Sequence, residues 1–429
     1  MVKQQMKTMD NHHTKKIKRS SRADRISNLP SHIIDKILIC LPIKEAVKTS
    51  VLSTKWRFNW RYLSKLVFDG TLIQTSGNPS TENRSITKPF FDMYKVLLLH
   101  RGSIFHFSLR IPTLNIYPEI NQLMLYLSEK DVQEIMFKVF SCSTSVPSYL
   151  FSCVTLRSLD LSICKFKAPS AFQGFVKLIS LRFEAVHFET DVFETFISKC
   201  PLLERLSIIG CDNTSSLHID IPYLKFFHFM GRSSSICFRK TSQHLSTVIF
   251  DGYNAGPSTY EPTKLLECAP VIKHLHLGPG YVDWLLYGTM WRKLSLGCLR
   301  VVEVPRLCFG FTDTVSSVLY LIVSAPNLEK LDIGFLMSMD DIQPLAPELL
   351  KVEDLLDNAL KKLRVVNLRL SHRKEVKSDL EFIKFILAES VVLEKMSIRP
   401  AFGTVAKILK QILRLQRSSK KAEILFLDP

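Results

Sequence analysis

The chain has 429 residues, too many for one compact core, so it reads either as several domains or as one elongated array of repeats. Its 46% hydrophobic and 23% charged residues are a globular composition and exclude a wholly disordered or fibrous chain. The net charge of +17 points to an anionic partner until it is located: residues 1–65 hold 15 Lys/Arg against 4 Asp/Glu, while the other 364 hold 42 against 36.

The chain opens with MVKQQMKTMDNHHTKKIKRSSR, which has no apolar run and is therefore no secretory signal; its polarity predicts a disordered basic tail over 1–22. The KKIKR within it reads equally as a nuclear import signal and as a solvated tail, and the expected location is nucleus, cytoplasm or both. Ten cysteines without an export signal and without any C-x-x-C pair predict free, buried thiols and no zinc. No window has the composition of a membrane span, so no membrane partner is expected.

Residues 23–69 predict three short helices. Ser31 is a candidate N-cap for the first, whose stripe Ile33, Ile34, Ile37, Leu38 and Leu41 runs to Pro42. The second carries Ile43, Ala46, Val47 and Ser50, and the third starts after Ser53 and carries Trp56, Trp60 and Leu63. So small a unit buries only about 60% of its surface, which leaves apolar side chains for a partner.

After residues 70–100, expected to be a linker and the start of the solenoid, comes a repeat. The pattern L-x-x-L-x-L recurs as VQEIMF from Val132, LRSLDL from Leu156, LISLRF from Leu178 and LERLSI from Leu203. Eight further copies end with AEILFL from Ala422, and successive starts lie 21 to 35 residues apart. The closing L-x-L has the period of a strand with one buried face, and such strands bury that face by stacking in parallel, as leucine-rich repeats do. DVFETFISKCP and VSSVLYLIVSAP predict helices on the convex side. Cys153, Cys164, Cys200 and Cys211 fall at fixed offsets from their strands and read as structural thiols.

Side chains beside the inward L-x-L point outward along the concave face. Early and late repeats place small or charged residues there, but the middle ones offer Phe226, His228 and Met230, then Ile249, then His274 and His276. This strip is the candidate target-binding surface, provided that the loops 232–243 and 278–291 do not cover it. No hydrolase, metalloprotease, P-loop or dinucleotide motif occurs, so neither catalysis nor a cofactor is expected.

The order Leu29-Pro30, the stripe from Ile33 to Leu41, Leu41-Pro42, Val51-Leu52-Ser53 and Trp56-Arg57 resembles an F-box. The resemblance implies docking to the Skp-type adaptor of a cullin-RING ubiquitin ligase through Leu29, Pro30, Ile33, Ile34, Leu41, Pro42, Val51, Ser53 and Trp56, with Trp60 and Leu63 packed inside. DNALKKLRVVNLRLSHRKEVKSDLEFIKFILAESVVLEKMSIRP, within residues 359–429, is similar to the FBD region of plant F-box proteins with leucine-rich repeats. The implied α/β architecture is a three-helix F-box over 23–69, repeats over 101–358 with a parallel concave sheet and convex helices, and FBD-like repeats at the end. The implied role is a non-catalytic substrate receptor holding an unknown target protein; the competing expectation is a basic nuclear scaffold or nucleic-acid-binding protein that uses the tail.

Overall fold

The computed structural model describes residues 25–68, 87–111, 118–139, 145–189, 192–214, 216–231, 235–238, 242–252, 266–286, 295–307, 312–335, 360–370, 377–400 and 411–428. The basic tail lies outside them.

Pro30 fixes the chain extended (ψ 145°) and its carbonyl accepts from the Ile33 and Ile34 amides, which starts the helix Ser31–Ile39. Pro30 and not Ser31 is thus the N-cap, with no side-chain cap bond. Pro42 repeats the device for the helix Ile43–Lys48. In place of a third α-helix, the chain forms 3-10 turns at Thr49–Val51 and Asn59–Tyr62. Few backbone hydrogen bonds form in so short a segment, and the two tryptophans are held by side-chain contacts instead.

Among the described residues, fourteen strands form one parallel sheet in strict sequence order. It begins at Lys65–Phe68 and His106–Ile111 and passes through Glu134–Val139, Ser158–Ser162, Ser180–Glu184, Arg205–Ile209 and Phe226–Met230. Thr247–Asp251, His274–Leu277, Val301–Leu307, Lys330–Phe335, Val365–Arg369, Lys395–Arg399 and Glu423–Phe426 complete it. The register is continuous, with one irregularity between Val304 and Leu307, so the unequal repeat lengths do not interrupt the sheet.

The extra residues of long repeats go to the convex side. There, the helices Val192–Ser198, Pro279–Leu286, Thr312–Val323 and Lys377–Glu389 return the chain. Shorter repeats use two-stranded ladders instead, Lys165–Phe166 with His187–Phe188 and Ser216–Ile219 with Ser235–Phe238. The inward residues Leu206, Leu275 and Leu331 are fully buried, and a single hydrophobic core runs from Ile34 to Ala422. Under the early repeats that core is a stack of phenylalanines, with Phe166 and Phe196 edge-to-face at 4.8 Å.

The sheet starts earlier than the repeat pattern from Val132 predicts. Lys65–Phe68, placed by sequence in the helical module, pairs with His106–Ile111 from Lys65↔His106 to Phe68↔Leu109. Module and repeats therefore share one sheet and one core. The seam is closed by the Arg101 amide donating to the Arg61 carbonyl at 2.8 Å and by His100 Nε2 on the Leu63 carbonyl at 2.8 Å.

Candidate protein-binding sites

In the helix Ser31–Ile39 the i, i+4 pair Ile34 and Leu38 faces the core, while Ile33 is half-buried and Ile37 exposed. Trp56, only 3% exposed, donates its indole N–H to the Ile26 carbonyl at 3.1 Å, and Lys55 Nζ donates to the Leu29 carbonyl. The two bonds hold the Leu29-Pro30 turn against the segment that follows Ser53. Ile34 and Trp56 were expected at the partner surface and are instead internal supports. The reason is geometric: each side chain is large enough to fill the small module's centre, and the indole finds a carbonyl there.

Trp60 is 5% exposed and, like Leu63, packs inside as the motif resemblance implied. The outer surface is made by Pro30 and Pro42, by half-buried Leu29, Ile33 and Leu41, and above all by Val51 at 87% exposure. Ser53 is half-buried, and its Oγ has no hydrogen-bond partner. Leu52, beside Val51, and Phe58, with the Arg61 guanidinium over its ring, are both 49% exposed and were not singled out from the sequence. A signal existed for Phe58: it lies two residues from each of two inward tryptophans, so in any helical turn it points away from them.

On the concave sheet, parallel register aligns outward residues in rows. Phe226 lies between Arg205 and Thr247, His228 between Ser207 and Ile249, and Met230 between Ile209 and Asp251. The structure brings the six predicted strip residues together on adjacent strands, since Thr247 and Ile249 in turn face His274 and His276. All six are half-buried. The Arg205 guanidinium lies 4.4 Å from the Phe226 ring centroid.

The two later histidines converge on Glu303, His274 Nε2 at 3.3 Å and His276 Nδ1 at 3.2 Å. Hydrogen bonds from His274 and then His276 hold the Glu303 carboxyl well below the usual carboxylate range. Burial lowers the pKa of His228, whose Nε2 is enclosed without a partner. Among the described residues, no group of three or more His, Cys, Asp or Glu is arranged to hold a metal.

The arc beginning at Gly278 turns under the sheet. Tyr281 is buried, stacks on Phe250 at 5.2 Å and donates its hydroxyl to the Gly231 carbonyl at 3.0 Å, all on the core side. Residues 232–234, 239–241 and 287–291 of the two flanking loops lie outside the described residues. Cys153 and Cys164 are enclosed on the core side, and burial pushes their thiols up to about 12, which fits structural thiols.

The F-box domain family matches residues 26–68, the span of the helical module and first strand. The family of leucine-rich repeats of the FBD-associated F-box protein At5g56370 matches residues 120–333. F-box/FBD/LRR-repeat protein At1g13570 of Arabidopsis thaliana is 31% identical over 94% of this chain and 99% of its own length. The chain belongs to the F-box/FBD/LRR-repeat family. A second Arabidopsis F-box/FBD/LRR-repeat protein, the putative At5g44950, is 23% identical over 94% of this chain and 99% of its own length. Among solved structures, a leucine-rich-repeat protein of Leptospira interrogans, LIC12759, is similar at TM-score 0.31 with 15% identity, covering 84% of this chain and 94% of that one. In this F-box/FBD/LRR-repeat chain, the F-box supplies the exposed apolar surface around Val51, and the repeats supply the concave strip.

Proposed function

We propose that the chain is the substrate-recognition subunit of an SCF-type ubiquitin ligase, holding a Skp-type adaptor with the F-box and a target protein with the concave sheet. The observation that carries this is the uncovered apolar surface at Val51, Leu52, Ile33 and Pro42, with Ile37 and Phe58 also exposed, on a module whose Ile34, Leu38, Trp56 and Trp60 are inside. A structural cap for the solenoid would not need it. Leu29, Leu41 and Ser53 rim that surface, and Ile34 and Trp56 contribute by shaping it. The chain performs no chemistry of its own in this role: it raises the target's effective concentration beside activated ubiquitin.

The test is co-purification with a Skp-type adaptor after Val51→Glu and Leu52→Glu. Both residues are exposed, so the fold should persist while a charge in the apolar interface abolishes binding. Adaptor capture at the wild-type level by the double variant would overturn the reading. In this reading the target binds the strip Phe226, His228, Met230, Ile249, His274 and His276, because aromatic and methionine anchors ringed by polar groups suit a protein partner. Changing Phe226 and Met230 to serine should lose the target and keep the adaptor.

A further inference from the structure

The positive charge is not confined to the N-terminal tail. Residues 359–429 hold 16 Lys/Arg against 7 Asp/Glu. Part of this excess is displayed on the concave face, where Arg369 and Arg399 are register partners on adjacent parallel strands. Both side chains are exposed on the same face, as is Lys395, two outward rows or about 13 Å along the strand. Like charges directly opposite one another destabilise a strand pair, so this arrangement asks for an anion. Asp332 reaches Arg369 at 3.4 Å but also accepts from Asn367 at 3.3 Å. Among the described residues, Arg399 and Lys395 have no ion-pair partner. Glu423 is the register partner of Lys395, yet it forms no ion pair with it.

We propose that this end of the concave sheet binds an acidic segment of the target protein, its carboxylates or phosphoryl groups seated between Arg369, Arg399 and Lys395. The inference takes the concave face as the target surface, as above. A protein segment fits better than a nucleic acid, because Asp251 sits beside Met230 in the strip, Glu303 and Asp332 line the same face between the strip and the basic end, and these carboxylates would repel a continuous polyanion. The strand of the strip, Phe226–Met230, lies six strands from Lys395–Arg399. At about 4.8 Å per strand that is roughly 29 Å, or about nine residues of extended chain. The target segment is therefore expected to carry an apolar anchor and an acidic group about nine residues apart.

Fluorescence anisotropy on the full chain tests this with three labelled probes: a Glu/Ser peptide, the same peptide with phosphoserine for serine, and a single-stranded oligonucleotide of equal charge. At least one peptide should bind more tightly than the oligonucleotide, and the better of the two identifies the anion. Changing Arg399 and Lys395 to glutamate together should weaken peptide binding roughly tenfold to a hundredfold, the scale of one or two charge-assisted hydrogen bonds. Lys177→Glu, at an exposed site off the concave face, should leave it unchanged. The double variant should melt close to wild type, since Arg399→Glu would face Arg369 while Lys395→Glu would face Glu423, and the two effects oppose each other. Undiminished peptide affinity in that variant, or tighter binding of the oligonucleotide than of either peptide, would overturn the inference. Target capture that survives the Phe226 and Met230 changes, with the acidic peptide still lost on Arg399→Glu and Lys395→Glu, would remove the apolar anchor and leave the basic site standing.

Discussion

Trp56 shows how a motif residue can matter without being touched by a partner. Its N–H satisfies the Ile26 carbonyl across 30 residues of chain, which ties the start of the F-box to its end. Trp56→Phe keeps most of the apolar volume and leaves that carbonyl without its donor, so the expected cost is about 1 kcal/mol. Trp56→Ala should cost about 3 to 5 kcal/mol, and thermal melts of the two variants measure the difference. His100 acts likewise at the seam. The Leu63 carbonyl can only accept, so Nε2 carries the proton and donates, and Nδ1 is left buried without a partner. Burial holds the His100 pKa below its ordinary 6.5; the Leu63 bond opposes this and the Lys130 charge adds to it. The unfolded chain therefore takes the proton more readily. This contribution to stability is complete above about pH 6.5 and is lost as the pH falls toward the folded pKa. His228 is shifted the same way. Urea melts across pH 7.5 to 5.5 should show stability falling with acid, and His100→Gln, which can donate to Leu63 without titrating, should flatten the fall but not remove it.

At the scale of elements, the turn that leaves three successive strands of the early repeats is a recurrent device. Ile163, Ala185 and Gly210 follow successive strands with φ of 55°, 51° and 60°. Only the glycine adopts this region freely, and a β-branched residue there is under strain of about 1 to 3 kcal/mol. Ile163→Gly should therefore raise the midpoint of thermal unfolding, less whatever half-buried contact the isoleucine makes; a fall would show that packing outweighs strain. The repeat itself was legible, because L-x-x-L-x-L states both the strand period and the inward face. Two strands were passed over although their signal was present: Leu63-Ser-Lys-Leu66-Val-Phe68 and Ile104-Phe-His-Phe107-Ser-Leu109 satisfy the same spacing. The first was absorbed into a predicted helix because Trp56, Trp60 and Leu63 share helical spacing. In the F-box the residue types were legible and their directions were not. A turn and a 3-10 segment between Ser53 and Leu63 rotate the chain differently from an α-helix, which sends Trp56 inward and leaves Val51 outside.

For the molecule as a whole, the first strand decides where the protein can be cut. Removing residues 1–69 takes away Lys65–Phe68 and uncovers the edge of His106–Ile111 together with buried Phe107 and Leu109. Such a fragment should aggregate, as flat exposed edges do, and size-exclusion chromatography would read this directly. A monodisperse, stable fragment would show that the repeats close their own end.

The continuous sheet also acts as a ruler. The strand that begins the sheet inside the F-box lies six strands from the one bearing Phe226 and Met230, roughly 29 Å at about 4.8 Å per strand. A target gripped there is held at a set reach from the adaptor, with no joint between module and repeats to swing through. Which lysines accept ubiquitin then becomes a matter of distance: inserting or deleting one repeat between Ser158–Ser162 and Arg205–Ile209 would move the target by about 4.8 Å and shift modification to a different set of lysines while leaving both docking surfaces unchanged.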